Sequence, residues 1–304
     1  MIPWIQYLRA LAALMVVWHH SLGQVAGTEQ FIPSSNLGGY GVQLFFMISG
    51  FIMLVTTWDK PIGPAEFIRL RLTRIVPLYW LATLGMILGA IVAPGLSKTL
   101  KWDGVSLVKS LFFIPYYSLS TPNDIRPLLM PGWSLNYEMF FYAIFALLLM
   151  VVNTLRIRLM VGALLVLVAV GLMTHPKGAL LRVYTDPVLL EFAAGMIVGR
   201  IWLRKKHKRG HIGHPLLMTL GDASYSIYLT HLFTLAALRV LWVHFIPNPT
   251  LASSIGWMAV ALVGSALAGW ICFRLIERPM TQGLKRWHPL SRSKAAHHSR
   301  APSA

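Results

Sequence analysis

Long runs of apolar residues alternate with short polar segments along the chain. Each run is about 20 residues long, which is the length that a helix needs to cross the hydrocarbon core of a bilayer. The pattern therefore predicts eight membrane-spanning helices. They are predicted at 5–24, 38–57, 75–93, 133–153, 158–174, 187–203, 223–245 and 254–273.

The segment 105–119 is apolar but differs from the other runs. It is short, contains Pro115, and is followed by the polar stretch 120–124. A crossing here would invert the orientation of every later helix unless another crossing compensated for it. We therefore predict that this segment is re-entrant or lies at the membrane interface, because irregular backbone inside a membrane must be covered by protein or water.

Composition agrees with a polytopic membrane protein of the all-α class and argues against a soluble enzyme. Of the 304 residues, 56% are hydrophobic and only 12% are charged. The start of the chain has neither a basic segment nor a small-residue cleavage site, so the first apolar run should remain as a helix. The single cysteine, Cys272, excludes an intrachain disulfide and is interpreted as a small buried hydrophobe. One transmembrane domain is predicted over 1–290, followed by a basic, disordered cytoplasmic tail over 291–304.

The net charge of +17 could indicate a nucleic-acid partner, but the basic residues are grouped beside the apolar runs. With eight crossings, all the basic clusters fall on one side, which the positive-inside rule assigns to the cytoplasm. Both termini are then cytoplasmic, no nucleic acid is expected, and the tail should associate with anionic membrane lipid. The clusters are Arg69, Arg71 and Arg74; Arg204, Lys205, Lys206, Lys208 and Arg209; and the segment from Lys285 to Arg300.

Arg9 and His20 are eleven residues apart in the first predicted helix. Eleven helical positions return to nearly the same face, roughly 16 Å further along the axis. An arginine inside the membrane costs at least about 2.5–3.5 kcal/mol on insertion scales, so the pair suggests a functional site. Two alternatives remain open: Arg9 could snorkel to the interface, and His20 could be a hydrogen-bonded core residue.

Arg71 and Arg74 are three residues apart, just before the helix predicted at 75–93, and share a helical face. Arginine binds phosphate oxygens with two parallel hydrogen bonds and tolerates partial desolvation. The pair is therefore a candidate clamp for a phosphorylated ligand from the cytoplasm. The alternative is a positive-inside anchor at the lipid headgroups.

Four acids lie within or at the ends of predicted membrane helices, where ionisable groups usually face the bundle interior and find partners. For each of them, a buried ion pair that holds helices in register competes with direct chemistry. Glu138 is the best functional candidate, because Ser134 could cap the start of its helix and place Glu138 one turn inside. The acids are Glu138, Glu191, Asp222 and Glu277. The expected counter-charges are Arg9, the Arg71/Arg74 pair and the Arg274/Arg278 pair.

The other histidines give weaker signals. His19 points about 100° away from His20 and is interpreted as packed or hydrogen-bonded. His231 lies within a predicted membrane helix, where it could orient a substrate or be satisfied in the core. The remaining histidines have no spacing that fits a zinc site with a second ligand pair, so no metal is predicted. They include His207, His211 and His214 in the basic loop and His297 and His298 in the tail.

Eight short motifs occur in a fixed order over most of the chain. The first is Arg9, ten residues, and His20. The others are Gly41 to Ile52, Arg71-x-x-Arg74, Pro77 to Trp80, Trp133 to Leu135 followed by Glu138, Glu191-Phe192 with Gly195, Gly221 to His231, and Glu277 to Pro279. Together these motifs resemble the membrane acyltransferase-3 family, and most of all its exopolysaccharide-production branch. Their joint order and spacing make the resemblance specific.

The resemblance implies an O-acyltransferase of the bacterial cytoplasmic (inner) membrane, with eight to ten transmembrane helices. Such an enzyme takes an acyl group, most often acetyl from acetyl-CoA, and transfers it to a hydroxyl of a carbohydrate. The acceptor would be an exopolysaccharide or its lipid-linked precursor.

The resemblance also implies roles for individual residues. Arg71 and Arg74 would bind the phosphates of the acyl-CoA donor, and Arg9 would position pantetheine or phosphate or donate to the oxyanion. His20 would act as general base or become acylated itself, and Glu138 would complete the catalytic set.

Two other functions stay open on the sequence. A secondary transporter would also carry intramembrane Arg, His and acids, but it should show related halves with interrupted helices, which the chain does not display. A non-catalytic polysaccharide-export subunit would tolerate the loss of His20.

Overall fold

The computed structural model describes residues 2–33, 35–60, 62–92, 100–205, 213–246 and 248–286. Within these ranges the chain is built of helices, and the one β-type pairing is an isolated bridge between Tyr117 and Ile125. The predicted all-α class of a polytopic membrane protein is confirmed. The loop residues 206–212 and the tail 291–304, with the predictions made for them, lie outside the described residues.

The described ranges contain twelve α-helices, which we number in chain order. A 3₁₀ turn, Met130–Gly132, precedes α6, and a π-helical turn, Phe273–Glu277, joins α11 to α12. Cys272, interpreted as buried, is half-buried at the end of α11. The helices are α1 Pro3–Leu22, α2 Thr28–Phe31, α3 Leu37–Thr57, α4 Pro64–Val92, α5 Gly104–Leu111, α6 Trp133–Leu148, α7 Asn153–Thr174, α8 Ala179–Tyr184, α9 Leu189–Arg204, α10 Pro215–Phe245, α11 Leu251–Cys272 and α12 Arg278–Arg286.

Five helical segments of the described chain are long and apolar enough to cross a membrane. They are α3, α4, α7, α10 and the continuous segment Leu251–Lys285 that includes α11. The other three predicted crossings are also helical, but α6 and α9 have 16 residues each, and α1 carries Arg9 and two histidines among its 20 residues. The total number of crossings therefore stays a prediction.

Helix α1, which carries Arg9 and two histidines, lies inside the bundle, against α3, α10 and α11. Glycines on its neighbours permit this close approach, because any side chain there would meet backbone atoms. A Cβ atom at Gly41 would lie 2.7 Å from the carbonyl oxygen of Ala12, and one at Gly221 would lie 2.3 Å from the carbonyl oxygen of Gln6. The polar side chains of α1 are thereby enclosed by protein.

Glycines also join α3 to α9. A Cβ atom at Gly50 would lie 2.1 Å from the carbonyl oxygen of Phe192, and one at Gly195 would lie 1.9 Å from the carbonyl oxygen of Met47. Both distances are far below van der Waals contact, so the two backbones touch directly. This contact fixes α3, which supplies one wall of the site described below.

Helix α4 begins at Pro64, well before the start predicted at 75. The run predicted at 75–93 marks the part of the helix that enters hydrocarbon, and the helix itself begins earlier, in polar surroundings. Arg71 and Arg74 therefore lie about two turns inside α4. The helix also continues through Pro77, whose missing hydrogen bond is tolerated in helices that pack against neighbours.

The segment 105–119 does not form a spanning helix. It contains α5, which has only eight residues and begins with a capping box in which the Asp103 carboxylate accepts a 2.7 Å hydrogen bond from the Ser106 N–H. This hydrogen bond holds the pKa of Asp103 below its usual value. The Tyr79 hydroxyl of α4 donates to the Ser110 carbonyl at 3.1 Å and fixes the segment against the bundle. The result agrees with the prediction that this stretch does not cross.

Candidate active site

Four of the five predicted site residues surround one cavity, which we call the arginine cavity. Its volume is about 90 Å³, and its walls come from α1, α3, α4, α6 and α10. The ionisable groups that line it are Arg9, Arg71, Arg74 and Glu138. The fold thus brings together residues from three helices that are distant in the sequence.

Arg9 is the most enclosed of the three arginines, with 8% of its surface exposed. Its Nη1 donates a 3.1 Å hydrogen bond to Oε1 of Gln6, one turn earlier on α1. Among the described residues, no carboxylate lies within ion-pair distance of Arg9. Because a buried guanidinium is normally paired with an anion, this arrangement favours an anionic ligand.

Arg71 and Arg74 reach the same cavity from α4. The guanidinium carbon of Arg71 lies 5.3 Å from the centroid of the Phe67 ring, a cation–π contact that suits a partly desolvated arginine. Nε of Arg71 is buried and has no hydrogen-bond acceptor in the described part of the chain. A guanidinium with a free donor is suited to a phosphate oxygen. The assignment of both residues to phosphate binding stays a prediction.

Glu138 faces these arginines across the cavity, but hydroxyl groups satisfy it. Its Oε1 accepts hydrogen bonds from Ser49 Oγ, at 3.0 Å, and from the hydroxyl of Tyr142 on the same helix. Glu277 is bound in a similar way, by a 2.6 Å hydrogen bond from Ser226 Oγ.

The expected counter-charges do not form direct ion pairs with the four intramembrane acids among the described residues. The ion pairs found among the described residues join Arg69 to Glu66 and Arg126 to Asp124, and neither includes one of the four acids. Hydroxyl groups donate to these carboxylates without the cost of enclosing a second charge, from Ser49 on α3 and Tyr142 on α6 to Glu138 and from Ser226 on α10 to Glu277.

The prediction that Ser134 caps α6 is wrong. The 3₁₀ turn leads directly into the helix, so the N-cap residue is Gly132 and already has helical backbone angles. It has no side chain that could cap the helix, and Ser134 lies inside the first turn. Ser134 Oγ instead donates to the Pro131 carbonyl at 3.2 Å and lies 2.7 Å from the Tyr228 hydroxyl. The Tyr228 hydroxyl donates to the same carbonyl at 2.8 Å. These hydrogen bonds join α6 to α10.

His20, the fifth predicted site residue, lines a second cavity, which we call the histidine cavity. This cavity has a volume of about 400 Å³. Val42 and Tyr228 line both cavities, so these two side chains form a partition between them. Although Arg9 and His20 belong to one helix, they open into different cavities. The polar and aromatic residues around the histidine cavity include His19, His20, Asn36, Asp124, Arg126, Trp133, Tyr228 and His231.

Three imidazoles are grouped at this cavity. The ring centroids of His20 and His231 are 5.1 Å apart with planes inclined by 31°, and those of His19 and His20 are also 5.1 Å apart. Nδ1 of His19 lies 3.1 Å from the Ser35 carbonyl oxygen. A Cβ atom at Gly38 would lie 2.6 Å from the His19 ring. His19 is therefore packed and hydrogen-bonded, as interpreted from the sequence.

Sequence reasoning missed the loop that precedes α6. Nη2 of Arg126 lies 3.5 Å from Oδ2 of Asp124, and both residues line the histidine cavity. The polar stretch 120–124 was a signal, but nothing in its spacing connects it to His20. Tyr228 was part of a motif without an assigned role. Within the described ranges, no group of three or more His, Cys, Asp or Glu is placed to hold a metal ion.

The chain matches the family model described as "Acyltransferase domain" over residues 2–212. It is similar to the "Exopolysaccharide production protein ExoZ" of Rhizobium meliloti (strain 1021), with 34% identity over 297 residues that cover 80% of this chain and 90% of ExoZ. It is also similar to the "Putative peptidoglycan O-acetyltransferase YrhL" of Bacillus subtilis (strain 168), with 26% identity over 95% of this chain and 46% of YrhL. "Acyltransferase MdmB" of Streptomyces mycarofaciens is 31% identical over 52% of this chain and 41% of MdmB. No solved structure matches the chain.

Proposed function

The chain belongs to the acyltransferase family and is a multi-pass membrane O-acyltransferase, and from this premise we propose that it moves an acetyl group from acetyl-CoA to an exopolysaccharide hydroxyl or to the lipid-linked precursor. The observation that carries the proposal is the convergence of Arg9, Arg71 and Arg74 on one cavity, next to a second cavity lined by His20. The name of ExoZ, an exopolysaccharide production protein whose length the match covers to 90%, supports a polysaccharide acceptor.

The arginine cavity is assigned to the donor. CoA carries several phosphates at its nucleotide end and a thioester at the tip of a slender arm, so it needs cations at one end and a narrow passage beyond them. The cavity volume of about 90 Å³ is well below the roughly 300–1,000 Å³ of a typical ligand pocket. The nucleotide therefore stays at the mouth, with its phosphates on Arg71 and Arg74, while the arm enters and contacts Arg9.

The sidedness follows from the basic residues. The positive-inside rule places the start of α4, both termini and the donor entrance on the cytoplasmic side of a bacterial inner membrane. His20 is eleven residues beyond Arg9 on α1, roughly 16 Å further from the cytoplasm. The thioester must pass Val42 and Tyr228 to reach it, and the acceptor meets it in the histidine cavity from outside.

The histidine cavity is assigned to the acceptor hydroxyl. Its volume of about 400 Å³ lies within the roughly 300–1,000 Å³ range of ligand pockets and has room for a sugar unit. His20 takes the hydroxyl proton as the oxygen attacks the thioester carbonyl, the C–O bond forms, and the C–S bond breaks. The proton then passes from His20 to the thiolate, which leaves as CoA thiol. A base in this role contributes about 10²–10⁴-fold to the rate.

Glu138 is assigned to the arginine cavity and supports the donor. One carboxylate against three guanidinium groups reduces their mutual repulsion and still leaves the cavity cationic for a phosphorylated ligand. The hydrogen bonds from Ser49 and Tyr142 fix the carboxylate in place. Glu138 thereby acts on the arginines through its charge across the cavity and not through a direct ion pair.

A covalent route uses the same residues. In that route a ring nitrogen of His20 attacks the thioester carbonyl, CoA leaves as thiol, and the acetyl group passes from the imidazole to the acceptor. Exchange of label from acetyl-CoA into free CoA without any acceptor distinguishes the routes, because a reversible acetyl-imidazole permits this exchange and direct transfer does not.

The experiment that tests the function measures CoA release from acetyl-CoA by the purified, detergent-solubilised chain. The acceptor probe is cell-surface polysaccharide from the strain that encodes the chain, stripped of its O-acetyl groups with mild alkali. We expect acceptor-dependent CoA release and new acetyl esters on the polysaccharide. A chain that releases no CoA under these conditions, and whose deletion leaves surface acetylation unchanged, contradicts the proposal and favours a transporter or export subunit.

A further inference from the structure

His231 is a fully buried titratable residue that the mechanism above does not use. It lies on α10, one turn after Tyr228, with 0% of its surface exposed. It lines the histidine cavity together with His20. Each of the two nitrogens of a buried imidazole needs a hydrogen-bond partner or a reason for lacking one.

The hydrogen bond at one nitrogen fixes the tautomer. Nδ1 of His231 lies 2.6 Å from the carbonyl oxygen of Tyr228. A carbonyl oxygen can only accept, so Nδ1 must carry the proton. In the neutral ring the other nitrogen, Nε2, therefore holds a lone pair and can only accept a hydrogen bond.

The second nitrogen has no partner in the described part of the chain. Nε2 of His231 is buried and unpaired there. Buried polar atoms are almost always satisfied, so each exception requires an explanation, and a role during the reaction is one. A lone-pair acceptor of this kind requires an N–H or O–H donor nearby.

The ring of His20 supplies the nearest imidazole donor. The two ring centroids are 5.1 Å apart. An N–H···N hydrogen bond that joins two imidazoles in line, with its nitrogens about 2.9 Å apart, places the centroids at a similar separation. The ring planes are inclined by 31°, so the bond that we infer requires a rotation of the His20 ring from its arrangement in the structure.

We propose that His231 is a positioning residue for His20: its Nε2 accepts a hydrogen bond from one ring N–H of His20 and thereby presents the opposite nitrogen of His20, without a proton, to the acceptor hydroxyl. The inference rests on the proposed role of His20 as the base. When His20 takes the hydroxyl proton, its ring is protonated at both nitrogens, and the bond to His231 stabilises that cation until the proton reaches the CoA thiolate. A neutral imidazole suits this place because a buried carboxylate would be costly to enclose.

Two substitutions of His231 separate positioning from packing, because each preserves the hydrogen-bonding function of one of the two ring nitrogens. His231→Gln places an amide oxygen near the position of Nε2 and keeps the acceptor for His20. His231→Asn places an amide N–H near the position of Nδ1, keeps the bond to the Tyr228 carbonyl, and removes the acceptor. The proposal ranks the Gln variant above the Asn variant, whereas a merely structural role ranks them the other way.

The measurement is kcat and KM for acetyl-CoA with de-O-acetylated polysaccharide. Loss of an outer group that orients a functional histidine typically costs about 10–100-fold. We expect His231→Asn to lower kcat by about that factor with both KM values nearly unchanged, and His231→Gln to recover most of the loss. Equal kcat for the Asn variant and the wild type, or a Gln variant worse than the Asn variant, overturns the positioning role. If the wild type itself releases no CoA, the proposed function has failed instead.

A second measurement does not depend on the folding of either variant. In ¹⁵N-histidine-labelled wild-type protein, His231 should give the resonances of a neutral ring protonated at Nδ1, and its Nε2 resonance should move in His20→Ala. A ring protonated at Nε2, or an Nε2 resonance that ignores the loss of the His20 imidazole, contradicts the proposal.

Discussion

The arginine cavity and the histidine cavity are neighbours with different electrostatics. The first holds three guanidinium groups and one carboxylate that hydroxyls satisfy, so it carries fixed positive charge. The second holds three imidazoles and the exposed pair Asp124–Arg126, so it contains ring nitrogens that can accept and donate protons. Fixed charge suits the binding of phosphates, and titratable rings suit proton transfer. Binding of the donor and chemistry should therefore respond to different substitutions.

The largest effect is expected in the histidine cavity. His20→Ala removes the base and should lower kcat by about 10²–10⁴-fold, while the affinity for acetyl-CoA stays close to that of the wild type. Steady-state CoA release and equilibrium binding of acetyl-CoA measure the two quantities. His19→Ala is the matched control and should keep most of the activity, because His19 is bonded to a backbone carbonyl. Near-wild-type acetylation by His20→Ala would remove the distinction between the cavities.

A smaller effect is expected in the arginine cavity. Arg71→Lys and Arg74→Lys keep the charge but lose the forked geometry that matches phosphate. One charged hydrogen bond is worth about 1.5–3 kcal/mol, so the KM for acetyl-CoA should rise by about 10–100-fold while kcat at saturating donor is retained. Arg69→Lys is the control, since Arg69 pairs with Glu66 outside the cavity. Unchanged donor KM in both cavity variants would leave these arginines as anchors at the membrane surface.

The smallest effect on activity is expected for Arg126, which lines the histidine cavity. It is half-exposed and pairs with Asp124 at 3.5 Å, and interactions of such exposed charges are worth about 0.2–1 kcal/mol. Arg126→Ala should therefore raise the KM for the polysaccharide about two- to fivefold and leave the KM for acetyl-CoA unchanged. A change in the donor KM instead would show that the donor reaches past the partition.

Thiol labelling can determine to which side of the membrane each cavity opens, and it needs no measurement of activity. In a Cys272→Ser background, Gln30→Cys and Lys60→Cys place thiols at exposed positions between α1 and α3 and between α3 and α4. An impermeant thiol reagent should label Gln30→Cys in intact cells and Lys60→Cys only in lysed cells. The reverse pattern would put the arginine cavity outside and remove the donor route from the cytoplasm.

The helices and the site differ in how far the sequence predicts them. Apolar runs placed most helices, and they marked the membrane-entering part of α4, whose helix begins earlier because the turn that carries Arg71 is polar and still helical. The order of motifs indicated Arg9, Arg71, Arg74 and Glu138, and the fold brings these four to one cavity.

Contacts between distant residues could not be predicted from local patterns. Charge counting suggested an arginine for Glu138, yet the carboxylate is bonded to Ser49 from α3, which no spacing rule connects to it. The partition at Val42 and Tyr228 depends on how α3 and α10 pack around α1, and that arrangement follows from contacts at glycines such as Gly41 and Gly221.

If the two cavities open to opposite sides of the membrane, as proposed, the partition also acts as an electrical insulator. An enzyme with cavities from both sides of a membrane risks a water-filled path, and each proton that leaks across 100 mV dissipates about 2.3 kcal/mol of the energy stored by respiration. The Tyr228 phenol lies between the two cavities, and its single O–H is already donated to the Pro131 carbonyl. Under the proposed route, acyl groups cross by being transferred one at a time while the membrane keeps its voltage.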